Sequence, residues 1–276
     1  MQNKTCILVG NCQCSGVREF LQYSEFFKHY NVIQYANWEL INSNTSIPTH
    51  TLQSADLVIY QPLSDVYNCL STNKNNPDSF LNILNETCNT ISFPRIHNNM
   101  LFPIFRKNKT TLNIYGTINN KIESLEHARY LYNNDLIDYD FDNRYNNNYY
   151  ISKLKETDCD VKIIDFIYKN IANTKLFLTA DHPTSFVFNE VTKQICEHLE
   201  LDYDYEKGLT ASENITGLVD STYDRPSKQL PISRYTVKHF GLKYASDDID
   251  DADNFYLQNT IEYIKLNKLK YSIHCI

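Results

Sequence analysis

Thr5-Cys-Ile-Leu-Val-Gly-Asn-Cys-Gln-Cys-Ser-Gly-Val-Arg-Glu-Phe-Leu21 is the stretch on which the reading of the fold turns. Cys6 to Val9 is a short apolar run, β-branched in part and closed by Gly10, which predicts a buried strand. Val17, Phe20 and Leu21 then recur at i, i+3 and i+4, the spacing of a helix face. Between them lies Asn11-Cys12-Gln13-Cys14-Ser15, a polar crossover with a glycine on either side. In an open α/β sheet, ligands collect at the carboxyl ends of the strands. The helix that starts there offers unpaired N–H groups, which favour an anion and stabilise a thiolate. Cys12 and Cys14 are both candidates for a reactive thiol.

Outward from this stretch, Tyr30 to Ala36 predicts a second strand, Ser54 to Pro62 a third and Thr90 to Pro94 a fourth. The last two stop at prolines, which cannot donate to a ladder. The apolar Leu57-Val58-Ile59 suits a sheet covered on both faces. Helices are expected at 79–84 (short), 123–133, 159–173 and 253–266, and a strand at 175–179. Residues 135–150 and most of 202–246 read as irregular. Val187, Val191, Ile195 and Leu199, four apart, predict a helix with Pro183 in its first turn. His182 then stands at a helix start after a strand, a setting like that of Cys12. The pattern is α/β: an N-terminal doubly wound, mostly parallel sheet, SGNH- or Rossmann-like, with a helix-rich C-terminal half. Neither a repeat nor a linker is visible, so one domain over 1–276 is expected, its helical portion at about 187–276.

Composition excludes several classes. A net charge of −7 and the lack of a basic stripe argue against a nucleic-acid partner. No apolar run approaches the roughly 20 residues that span a bilayer, and the N-terminus lacks a signal-peptide pattern, so a cytoplasmic location is expected. The 8 cysteines are scattered without a CxxC pair, which points to reduced thiols and to no metal centre. Parallel strand ends converge on one edge of the sheet. That places Cys12, Gln61 and the Phe93-Pro-Arg-Ile-His97 turn near one another. Arg95, Arg106 and Lys107 are the phosphate partners this region offers, Arg through paired hydrogen bonds and Lys as a point charge.

Gly10-Asn11-Cys12-Gln13 after an N-terminal strand resembles the opening motif of the WcbI-type polysaccharide biosynthesis family. Three more segments follow in family order: Ala55 to Leu63, Phe93-Pro94…Phe102-Pro103, and Asp181-His182-Pro183-Thr184. A Pro-rich segment near 226–231 extends the resemblance toward the C-terminus. The resemblance implies coenzyme A binding and a place in capsule-type glycan assembly. It implies an acetyl-CoA-dependent acetyltransferase whose acceptor is an amino or hydroxyl group of a sugar or nucleotide sugar. It places the motif cysteine at Cys12, leaving Cys14 as a helix residue, and it is compatible with a homodimer.

Cys12, His182 and Asp181 are the parts of a nucleophile, a base and an orienting carboxylate. Neighbouring side chains on an extended segment point apart, so Asp181 either orients the imidazole or caps the helix. Asn11, Gln13 and the N–H groups around Cys12 to Cys14 are candidates to hold an oxyanion. Gln61 and His97 line the same edge, and Gln61 suits an acyl donor or a sugar hydroxyl. Acetyl transfer can run through Cys12, or directly with His182 deprotonating the acceptor. Two other classes use the same layout: an SGNH-like esterase or deacetylase acting on acylated glycans, and a non-catalytic protein that binds CoA or glycan.

Overall fold

In the computed structural model, which describes residues 3–106, 114–214, 229–244 and 249–273, the apolar run after Lys4 is an inner strand of a parallel sheet. The elements begin with β1 (Lys4–Gly10), α1 (Gln13–Phe20), α2 (Phe26–His29), β2 (Tyr30–Ala36), α3 (Asn37–Ser43), α4 (Thr49–Gln53), β3 (Leu57–Tyr60) and β4 (Asn89–Ser92). Then come β5 (Ile104–Arg106), β6 (Ile114–Gly116), α5 (Leu125–Asn133), α6 (Phe141–Glu156), α7 (Ile164–Asn170), β7 (Phe177–Thr179) and the two-residue β8 (His182–Pro183). After them the described elements are all helices: α8 (Ser185–His198), α9 (Tyr205–Asn214), α10 (Arg234–Phe240) and α11 (Ile249–Ile273).

The four-stranded sheet has the order β2-β1-β3-β4, with every pairing parallel. Strand order reverses at β1, so the crevice between the carboxyl ends of β1 and β3 is the switch point of the sheet. Cys6 to Val9 and Leu57 to Ile59 have 0% exposure, because helices cover both faces. Leu40 of α3 and Leu52 of α4 pack on the face of Ile7, Val9 and Val58. On the opposite face, Gln34 Nε2 donates to Ser15 Oγ of α1 at 3.0 Å. Each fully buried Val, Leu or Ile here contributes about 1.5–3 kcal/mol relative to exposure.

Residues sort into two compact units, where the sequence reading expects one domain. The first comprises 1–97, 152–167 and 182–228; the second comprises 98–151, 168–181 and 229–276. The first holds the parallel sheet. The second holds the antiparallel pair β5–β6 and an aromatic core of Tyr132, Tyr139, Phe141, Tyr235 and Tyr256. Within it Arg234 Nε donates to Asp135 Oδ1 at 2.8 Å, and its guanidinium lies 4.5 Å from the centroid of the Tyr132 ring.

Four local expectations are corrected. Residues 135–150 are not irregular, since α6 occupies Phe141–Glu156. That helix leaves Tyr150, Ile151 and Leu154 exposed, so it lacks the apolar periodicity by which a helix is read. α9 and α10 lie inside 202–246. Ser233 caps α10 by accepting the Thr236 N–H, and Gly241 closes it at φ +61°. The helix expected from Cys159 starts only at Ile164. The buried Glu156 carboxylate accepts the N–H groups of Ile163 and Ile164 at 2.8 and 3.0 Å and so sets that start. Pro183 precedes α8 by two positions, with Thr184 as the N-cap.

Candidate active site

β1 ends at Gly10, where a side chain has no room. A Cβ there would stand 2.6 Å from Cys14 Sγ and 2.7 Å from Gln61 Oε1. Cys12 follows as the N-cap of α1, already helical at φ −55° and ψ −20°. The Gln13 N–H donates to Asn11 Oδ1 at 2.9 Å, and the Cys14 N–H to Asn11 O at 3.1 Å. These two N–H groups, expected to hold an oxyanion, are therefore bonded within the loop. Asn11 acts as the local cap that bends β1 into α1.

The two thiols of the loop differ in burial. Cys14 is fully buried, and desolvation pushes its thiol far above the ordinary range. Cys12 is half-buried and faces a more open environment. Only Cys12 of this pair has the access that a reactive thiol needs.

Gln13 and Gln61 are turned inward, which changes the roles expected of them. Gln13 is 0% exposed, and its Nε2 donates to Ile96 O at 2.6 Å. Its Oε1 accepts the Ile96 N–H at 3.0 Å and Gln61 Nε2 at 2.9 Å. Gln61 Oε1 accepts the Asn11 N–H at 2.9 Å. The two carboxamides thus tie the ends of β1 and β3 to the segment after β4, and they hold the site's framework. Ser92, the last residue of β4, donates its N–H and its hydroxyl to Asp160 Oδ2, both at 2.7 Å. The Phe93–His97 turn is anchored at both ends, with Arg95 exposed and His97 half-buried. Arg106 closes β5, and Lys107 lies outside the described residues.

His182 is half-buried and stands three residues before α8. Gly16, the fourth residue of α1, meets Phe188, the fourth residue of α8. A Cβ on Gly16 would lie 2.5 Å from the Phe188 ring. Thr192 Oγ1 donates to Val17 O at 3.5 Å along the same contact. The first turns of α1 and α8 therefore pack together, and these turns carry Cys12 and follow His182. Asp181 is half-buried in the turn before His182, its N–H donating to Thr179 Oγ1 at 3.4 Å. Capping of α8 falls to Thr184, not to Asp181.

Sequence reading missed the partners that make this framework. Ile96 acts through its backbone, which leaves no residue-type signal. Asn98 was also missed. Its N–H donates to Ala180 O at 2.7 Å, and its Oδ1 accepts the Met100 N–H at 3.1 Å, so it links the segment after His97 to the one before Asp181. An asparagine that mimics a backbone turn is a usable signal, but it has no contrast in so asparagine-rich a chain.

The sequence matches the family described as the polysaccharide biosynthesis enzyme WcbI over residues 5–203. A solved structure of WcbI has the same fold, with a TM-score of 0.54 at 18% identity over 74% of this chain and 73% of that chain. It is described as a novel polysaccharide biosynthesis enzyme, in a native form without a disulfide bond between coenzyme A and one of its cysteines. No curated protein matches the chain. The family match covers Gly10 to Gln13, Gln61, the Phe93–His97 turn and His182, the segments that the carboxamide bridges and the α1–α8 contact organise; the chain belongs to the WcbI family of polysaccharide biosynthesis enzymes.

Proposed function

We propose that this protein transfers an acetyl group from acetyl-CoA to an amino or hydroxyl group of a sugar or nucleotide sugar during polysaccharide assembly in the cytoplasm. The observation that carries the reading is the placement of Cys12. It is the accessible thiol of its loop, at the start of α1 and at the switch point of the parallel sheet. The coenzyme A named for the structural neighbour, together with a cysteine of that protein, supports a thioester donor at this thiol.

In this reading Cys12 Sγ attacks the thioester carbonyl. A bond forms between Sγ and the acetyl carbon, the bond from that carbon to the CoA sulfur breaks, and CoA leaves as the thiol after taking a proton from His182. The acceptor nitrogen or oxygen then attacks the acetyl carbon and loses its proton to His182, and Cys12 is regenerated. Asp181 biases the imidazole from the preceding turn. Arg95 meets the CoA phosphates from the exposed side of its turn, with Arg106 and Lys107 as the other basic candidates. His97 and Asn11 contact the donor, and Gln13 and Gln61 hold the loops that present them.

Incubation with acetyl-CoA and no acceptor, followed by peptide mass analysis, tests the reading. One acetyl group on the peptide segment holding Cys12 is expected, with Cys12→Ser retaining CoA binding and losing most turnover. An unmodified Cys12 together with near-normal turnover of Cys12→Ser would leave only direct transfer with His182 as base.

A further inference from the structure

β2 is an outer strand. β1 pairs with it along Tyr30–Ala36, and among the described residues no strand lies on its other side. The strand reads Tyr-Asn-Val-Ile-Gln-Tyr-Ala, without charge or proline, and its register with β1 has no bulge. Those are the devices that normally keep an edge from pairing. Ile33, at the midpoint, is 40% exposed. It pairs in register with Ile7 and so lies on the sheet face that α3 covers. On α3, Trp38 and Ile41 are 52% and 42% exposed and sit three residues apart on one side of the helix.

The charges flanking the strand are of opposite sign at its two ends. Lys28 and His29 precede it and Glu39 follows it. The Lys28 side chain is 71% exposed, and Glu39 is exposed. An edge with a neutral apolar centre and ends of opposite charge is complementary to itself when turned around.

We propose that β2 is the contact surface for a second copy of this chain, with the two β2 strands pairing antiparallel about a two-fold axis through Ile33. Such an axis stands perpendicular to the sheet, so it joins two sheets into one and keeps both α3 helices on the same face. Ile33 meets its own counterpart across the axis. The basic start of each strand meets the Trp38–Glu39 end of the other, an opposite-charge and cation–aromatic pairing. A foreign strand would have no reason to match both ends of this edge.

Sedimentation of the full chain tests the proposal, with a mass of twice 32.3 kDa expected. Trp38 is the single tryptophan, so its emission should shift to the blue as concentration rises. Ile33→Lys sets two like charges face to face and should weaken association at least ~100-fold, with the emission of the dilute protein and an unchanged circular dichroism spectrum. Ile33→Cys should form, on oxidation, a dimer whose linked peptides join position 33 to position 33. A wild type that stays at 32.3 kDa at all concentrations overturns the proposal, including when the strand is reserved for another protein. A folded Ile33→Lys that still dimerises overturns it too. If Ile33→Lys fails to fold, the Ile33→Cys dimer decides, and the absence of the 33–33 link in it rejects this surface.

Discussion

The side chain of Gln13 grips the backbone of Ile96 with both ends of one carboxamide. Nε2 donates to Ile96 O at 2.6 Å and Oε1 accepts the Ile96 N–H at 3.0 Å. The amide thus acts as one more residue of a ladder, laid between the first loop and the segment after β4. Along an extended segment the side chains alternate, so a clamped Ile96, buried on one side, turns Arg95 and His97 to the other. The geometry of the basic turn is therefore set from the cysteine loop.

Removing this clamp should cost both stability and ligand affinity. Gln13→Ala leaves the Ile96 amide and carbonyl and the Gln61 carboxamide short of partners in a buried place, at about 1–3 kcal/mol for each group left unsatisfied. Urea unfolding should show a loss of about 2–4 kcal/mol in all, since some groups re-pair. Titration calorimetry should show weaker CoA binding, whereas Cys12→Ser leaves it intact. Wild-type stability in Gln13→Ala would contradict the bridging role.

Gly16→Ala tests the packing that couples the two candidate catalytic segments. Its Cβ would meet the Phe188 ring at 2.5 Å, and Phe188 is 1% exposed and cannot swing away. Overpacking of this kind costs about 1–3 kcal/mol. The melting temperature should fall by roughly 3–10 °C for a chain of this size. Displacement of the start of α8 should lower kcat at temperatures where the variant remains folded, with KM for acetyl-CoA less affected.

Arg95→Ala should weaken CoA about 10- to 150-fold, the equivalent of a charge-assisted hydrogen bond of about 1.5–3 kcal/mol. Circular dichroism should not change, because Arg95 is exposed. If the contact is to the 3′-phosphate, dephospho-CoA should bind the wild type and the variant alike. Full affinity in Arg95→Ala would shift the phosphate contact to Arg106 or Lys107.

Stability should fall on the alkaline side. Burial pushes the Cys6 and Cys159 thiols up to about 12 and the Cys196 thiol up to about 11. In the unfolded chain these groups ionise near 8.5, so the stability they contribute is complete below that pH and is lost as pH rises toward 11–12. Each adds up to about 1.4 kcal/mol of loss per pH unit. Urea midpoints between pH 7 and 10.5 should be flat at first and then drop, and Cys196→Ala should make the drop shallower. A midpoint that stays level to pH 10.5 would mean these thiols ionise equally in both states.

The sequence by itself determined the parallel sheet and the place of its chemistry. Apolar runs of β-branched residues, closed by Gly10, Pro62 and Pro94, specify strands buried on both faces, and β2 spans the residues read for it, Tyr30–Ala36. A buried strand is a local composition with local stops, and strand ends in such a sheet fall on one edge. Local pattern also marked the turns that hold Cys12 and His182. Tertiary structure alone decided which polar groups of those turns point inward. Gln13 and Gln61 looked like ligand contacts because both end in free-looking amides, yet both spend them on backbone groups and on each other. Their partners lie about 50 and 80 positions away in sequence, and no residue pattern encodes a bond to a backbone carbonyl at such a distance. The choice of Cys12 over Cys14 as the accessible thiol likewise rests on burial, which depends on what packs over the loop and not on the loop. Helix α6 escaped the sequence reading for the converse reason: much of its apolar surface faces outward, so the periodic stripe by which burial announces a helix was never written into it.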